Sequence, residues 1–178
     1  MAGPDFEAYH AEATLNDGTE VLIRPIRPED APAVAASFEQ FGPESRHQRF
    51  FSAKTALTDE ELARLTHPEN ENALRLVAEI RAGPQAGRLI GGAGCVIDAE
   101  DPQRAEIAFS IIDAFQGKGL GPLLLRHLAT LARANGIVQF VATVMPDNTP
   151  MLTVFERSGL PIESSEDRDA VCVTLSLA

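Results

Sequence analysis

The residues Gln116-Gly-Lys-Gly-Leu-Gly121 hold the clearest chemistry in this 178-residue chain. Three glycines within five positions let the backbone approach a ligand without Cβ atoms in the way, and Lys118 adds a mobile positive charge. An alternating apolar run ends just before them, and helical spacing begins just after. A strand-to-helix junction presents backbone amides at the positive end of the helix dipole, so this stretch is suited to an anion, above all a phosphate. A Walker loop would follow its lysine with serine or threonine, but Lys118 is followed by glycine. A dinucleotide fingerprint reads G-x-G-x-x-G, whereas Gly117, Gly119 and Gly121 alternate and no second βαβ half follows. A glycine-rich connection that only turns the chain stays open at this level. Pro122 comes next; it has no N–H to offer a ligand but suits the first turn of a helix.

Other catalytic patterns are missing from the sequence. It contains no G-x-S-x-G elbow and no H-E-x-x-H, and His10, His47, His67 and His127 do not cluster, so no metal is implied. Cys95 and Cys172 lie far apart in strand-like runs and read as two reduced thiols. With 26 acidic against 15 basic side chains, the formal charge of −11 repels nucleic acid and anionic membrane surfaces and attracts a cationic acceptor. The longest apolar runs are strand-sized, far short of the roughly 20 residues of a membrane span, and Met1 to His10 lacks a basic, apolar leader. A cytoplasmic protein is expected.

The elements around the glycine loop follow from periodicity. Glu20 to Ile26 reads as a strand, and Arg27-Pro-Glu-Asp30 opens a helix running to about Gln40. Thr58-Asp-Glu-Glu61 is a capping box for a second helix that ends near His67-Pro68. Leu74 to Ile80 and Leu89 to Ile97 flank a glycine- and proline-bearing loop as an antiparallel pair, and Arg104 to Asp113 adds a third strand with Ile107, Phe109 and Ile111 on one face. Leu124, Leu128, Leu131 and Ala132 then recur at helical spacing up to an Asn135-Gly136 cap. Ile137 to Val144 suits a buried strand, Asp147 or Asn148 caps a helix ending at Gly159, and Ala170 to Leu177 alternates as a last strand. The order β-α-α-β-β-β-α-β-α-β predicts a single α/β domain, residues 15–178, with a mixed, mostly antiparallel sheet flanked by helices, behind a flexible stretch 1–14.

Gln116-x-x-Gly119-x-Gly121 resembles the [R/Q]-x-x-G-x-[G/A] signature of the GNAT superfamily of N-acetyltransferases, and the element order agrees from about Leu15 to Leu177. The resemblance implies that acetyl coenzyme A is the co-substrate, with its pyrophosphate held by Gln116, Gly117, Lys118, Gly119, Leu120 and Gly121 and with Ile111 at the end of the preceding strand. It also implies that the fourth and fifth core strands of the family fold splay to admit the pantetheine arm. Asn148-Thr-Pro-Met151 with Val154-Phe-Glu-Arg-Ser-Gly-Leu160 is similar to a second family segment, which makes Asn148 a cofactor contact, an N-cap, or both. Ser45-Arg-His-Gln-Arg-Phe-Phe51 resembles a segment of the Pat-type protein lysine acetyltransferases, placing Arg46 and Arg49 on the acceptor side. Read without the resemblance, it is a surface loop with two core-plugging phenylalanines.

Amine acetylation near pH 7 needs a group that takes a proton from the ammonium. Glu106 interrupts the apolar run Ala105-Glu-Ile-Ala-Phe109 where the Pat-type pattern carries its catalytic glutamate; Glu79 and Asp113 are weaker candidates. The tyrosine that serves many family members as general acid is replaced by Phe155, and the single tyrosine is Tyr9. The expected function is direct transfer of an acetyl group to a primary amine, above all a protein lysine such as one on an acyl-coenzyme A synthetase. A small-molecule acetyltransferase, a non-catalytic acetyl coenzyme A sensor, and a homodimeric form stay open.

Overall fold

In the computed structural model, which describes residues 8–42 and 57–178, one eight-stranded sheet carries the fold. The strands are β1 (Ala11–Thr14), β2 (Glu20–Pro25), β3 (Ala73–Ile80), β4 (Leu89–Ile97), β5 (Arg104–Ile111), β6 (Gln139–Val144), β7 (Ile162–Glu166) and β8 (Val171–Ser176). They lie in the order β1-β2-β3-β4-β5-β6-β8-β7, and every pair is antiparallel except β5 with β6. The helices among the described residues are α1 (Ala31–Phe38), α2 (Asp59–Thr66), α3 (Leu120–Ala134) and α4 (Thr149–Glu156).

Local signals set most of these boundaries. The Thr58 hydroxyl accepts from the Glu61 amide (3.1 Å) while the Glu61 carboxylate accepts from the Thr58 amide (3.2 Å), a reciprocal cap that starts α2. Asn135 closes α3, with Gly136 in the left-handed region at φ +81°. Between α3 and the sheet lies the core: Leu120, Leu124, Leu128 and Leu131 pack with Ile23, Leu76, Ile90, Cys95 and Ile107. Burial pushes the Cys95 thiol up to about 12, which leaves it a neutral apolar filler.

Two strands exceed the sequence expectation, and they are the two edges of the sheet. β1 falls inside the stretch 1–14 expected to be flexible, yet pairs with β2 over four residues, Ala11↔Ile23 to Thr14↔Glu20. β7 is exposed at every residue and pairs with β8. Edge strands carry few apolar residues because one side faces water, so their periodic signal is weak. Asp113 also leaves the expected strand and begins a short 3-10 turn, Asp113–Phe115.

Candidate active site

The site begins where the sheet divides. β5 and β6 pair through Arg104↔Gln139, Ala105↔Phe140 and Glu106↔Val141, and there the pairing stops. Beyond it β5 stays with β4 as far as Ile111↔Gly91, while β6 stays with β8 as far as Val144↔Val171. Each half keeps its own outer partner, so the two parallel strands part and open a wedge whose apex is Glu106.

The glycine loop closes the far end of β5. The Ile112 amide donates to Ile90 O (3.0 Å), and the Gln116 side-chain amide donates to Ile111 O (3.0 Å), which fixes the turn leaving the strand. Gly117 and Gly119 take φ values of +75° and +92°, and Gly119 is the residue from which α3 starts. An L-residue is strained at such angles, so glycine here is a backbone requirement. Pro122 has no amide and the Leu123 amide is used on Gly119 O (3.3 Å), which leaves the Leu120 and Gly121 amides as the donors of the first turn. A Cβ at Gly117 would meet nothing within 4 Å, so the loop is open to a ligand on that side. These features suit a pyrophosphate. Gly121 has a different neighbour: a Cβ there would lie 3.2 Å from Val154, so its lack of a side chain serves the packing of α3 on α4.

On the face of the sheet covered by α1 and α2 lies a cavity of about 380 Å³. Val34, Phe38 and Leu65 come from the helical side, Gly92 and Ser110 from the strands, and Glu106 supplies the carboxylate. Glu106 is solvent-exposed, so an ammonium reaching its carboxylate keeps access to water, through which a proton can leave. The rival carboxylates do not line the cavity, and each has an oxygen engaged elsewhere. Glu79 Oε2 accepts from Arg24 Nε (2.7 Å), and Asp113 Oδ2 accepts from the Gly42 amide (3.0 Å).

Asn148 caps α4, its side-chain oxygen accepting from the Met151 amide (3.3 Å). Phe155 is buried, 1% exposed, and meets Phe109 edge to face at 6.0 Å, so it is a core side chain. Tyr9 hydrogen-bonds His127 on α3; burial outweighs the nearby Arg126 charge and raises the phenol, and burial with Arg126 lowers the imidazole. Arg46 and Arg49 lie outside the described residues.

One buried ion-pair group at the entry of α1 carries no motif in the sequence. Arg24, 6% exposed, donates to both oxygens of Asp30 (2.8 and 2.9 Å) as well as to Glu79, and so ties the entry of α1 to the sheet. The only signal was a charge inside the apolar run Val21 to Ile26. Burial works to raise the Asp30 carboxyl, but the Arg24 hydrogen bonds and the Arg27 amide together outweigh it and hold it below the usual carboxylate range. Asp30→Asn is expected to cost about 3 kcal/mol, as for a buried pair that loses one partner. For a chain of this size that lowers Tm by about 6–12 °C. Because the folded value is depressed, the stabilisation exists above the unfolded value near about 3.9 and disappears as pH falls through the folded one. Thermal melts of both proteins from pH 7 down to pH 2 should show the gap narrowing only below about pH 4.

A mixed sheet that divides between two parallel strands, with a glycine loop leading into a helix at the rim of the wedge, is the fold of the GNAT class. Residues 20–161 match the family described as the acetyltransferase (GNAT) domain, and the chain belongs to that family. It is a GNAT-type acetyltransferase that uses acetyl coenzyme A. It is 31% identical over 145 residues to acetyltransferase PA5475 of Pseudomonas aeruginosa, covering 82% of this chain and 77% of that one. It is 28% identical over 147 residues to acetyltransferase Pat of Mycolicibacterium smegmatis, again over 82% of this chain but 42% of that longer protein. The crystal structure of the GNAT domain of S. lividans PAT superposes with a TM-score of 0.84 at 32% identity, over 94% of this chain and 96% of that one.

Proposed function

We infer that the enzyme acetylates a lysine side chain on another protein, with Glu106 as the general base. The observation that carries the reading is the place of Glu106: the last residue of β5 paired to β6, at the apex of the wedge and on the wall of the cavity under α1 and α2. Acetyl coenzyme A, held along the wedge by Ile111, the loop from Gln116 to Gly121 and Asn148, supplies an activated thioester. Glu106 accepts a proton from the ammonium, directly or through water, and the free amine nitrogen then forms its bond to the acyl carbon while the C–S bond breaks. The sulfur departs as a thiolate, which its low pKa permits without a tyrosine partner, and the nitrogen's second proton passes to that thiolate or to water as the neutral amide forms. No covalent enzyme intermediate is needed.

Three features support a protein acceptor. The formal charge of −11 attracts a lysine-bearing surface, the apolar cavity suits an aliphatic stem ending in an amine at Glu106, and two relatives are named Pat or PAT. The Ser45 to Phe51 segment, with Arg46 and Arg49, contributes to partner recognition. An acyl-coenzyme A synthetase is one such acceptor, and the enzyme and its acceptor share the cytoplasm.

A thiol-release assay tests this with acetyl coenzyme A against a synthetase, polyamines and free amino acids across a salt series. Acetylation of the protein should fall as salt screens charge beyond about 10 Å at 0.1 M, while small amines respond less. Charge reversal at Arg46 and Arg49 should alter protein acetylation more than acetyl coenzyme A binding. Efficient, salt-insensitive acetylation of a small amine with no modified protein lysine would sink the protein-acceptor reading.

A further inference from the structure

The turn joining β1 to β2 sits against the glycine loop, although it lies ahead of the residues 20–161 that match the family. The Asn16 amide donates to Lys118 O (3.0 Å). The Asn16 side chain fills the space beside Gly119, where a Cβ would come within 3.2 Å of its Nδ2. Lys118 Nζ faces Asp17 Oδ2 at 3.4 Å. The turn is closed by its own bonds, Leu15 N–H to Thr19 O and Gly18 N–H to Leu15 O, both 2.9 Å. The Thr19 amide also donates to Asp17 Oδ1 (3.0 Å). That amide first, and Lys118 in smaller part, holds the Asp17 carboxyl below the usual range, so it is ionised at neutral pH.

One oxygen of Asp17 therefore serves the turn and the other faces the one cation of the glycine loop. We propose that Asp17 is a positioning residue that restrains Lys118 and thereby limits the affinity of the site for coenzyme A pyrophosphate. The proposal rests on the assignment of Gln116 to Gly121 as the pyrophosphate loop. The two side chains are 34% and 32% exposed, so their pair is weak and a pyrophosphate of higher charge takes the ammonium from the carboxylate. Binding then leaves Asp17 without its cation beside a new anion, a cost present only in the bound state. The donor and the product coenzyme A carry the same pyrophosphate, so weaker holding also speeds release of the product, a step that limits many enzymes.

Asp17→Asn isolates the effect, because the amide oxygen can still accept from Thr19 and preserve the turn. Calorimetric titration should show acetyl coenzyme A and coenzyme A binding about 2- to 5-fold more tightly at low salt, the range of an exposed ion pair, with Tm unchanged. The gain should shrink in high salt and vanish when Asp17→Asn is made in a Lys118→Ala background. Unchanged or weaker binding by Asp17→Asn, or an equal gain in both backgrounds, overturns the proposal while the pyrophosphate assignment stands. A wild-type protein that binds neither ligand would remove that assignment, and this inference with it.

Discussion

Glu106→Gln is expected to lower turnover by about 10²- to 10⁴-fold and to leave acetyl coenzyme A affinity near its original value. Glutamine keeps the shape of the side chain and its place at the apex of the wedge but cannot take a proton. The barrier rises by about 3–5 kcal/mol, and the ground-state complex with the donor loses nothing. The pH dependence provides a second reading. An unperturbed lysine amine titrates near about 10.4, so raising the pH supplies more neutral nucleophile and should partly restore the variant. Stopped-time thiol release from pH 7 to pH 10, with calorimetry on the same preparations, separates the two quantities. Near-normal turnover would pass the role to ordered water or to another carboxylate. Glu79, paired with Arg24, and Asp113, accepting from the Gly42 amide, are both absent from the cavity wall that Glu106 lines.

Gly119→Val is expected to weaken acetyl coenzyme A binding by roughly 10²-fold, through three effects at one position. A β-branched residue at φ +92° is strained, its Cβ would press on Asn16 at 3.2 Å, and the loop must shift away from the anion it presents amides to. Loss of one charge-assisted hydrogen bond, worth about 1.5–3 kcal/mol, already accounts for most of that factor. The backbone strain also lowers stability by about 1–3 kcal/mol, so a matched variant is needed. Gly136→Ala supplies it: φ is +81° with nothing within 4 Å of the new Cβ, at the other end of the same helix. It should lose comparable stability and keep full binding. Unchanged affinity in a folded Gly119→Val protein would remove the pyrophosphate assignment. Gly121→Val would be ambiguous, because its Cβ would meet Val154 and disturb the contact of α3 with α4.

The central elements were legible in the sequence. Strands β3, β4 and β5 and helix α3 carry strong apolar periods because they are covered by neighbouring elements, and burial is what imposes a period. The capping box of α2 and the Asn135-Gly136 end of α3 were readable for a different reason: each is made by residues within one turn of each other. β1 and β7 were not legible. Ala11-Glu-Ala-Thr14 and Ile162-Glu-Ser-Ser-Glu166 take their strand conformation from hydrogen bonds to β2 and β8 across short hairpin turns, and each carries too few buried apolar residues to show a period of its own.

The candidate site divides along the same line. The residue types in Gln116 to Gly121, and the acid in the run from Ala105 to Phe109, follow from local chemistry and were readable one segment at a time. The sequence by itself also determined the family, because a short signature in a matching order of elements is a property of the linear chain. Only the tertiary structure decided that β5 and β6 stop pairing at Glu106, since that depends on each strand keeping its other neighbour. It also decided that Glu79 is held by Arg24, that the missing side chain of Gly121 faces Val154, and that a turn about a hundred positions upstream sets Asp17 against Lys118. Each of these is a contact between segments distant in sequence, and such contacts are selected by the packing of the whole core rather than by the preferences of either segment.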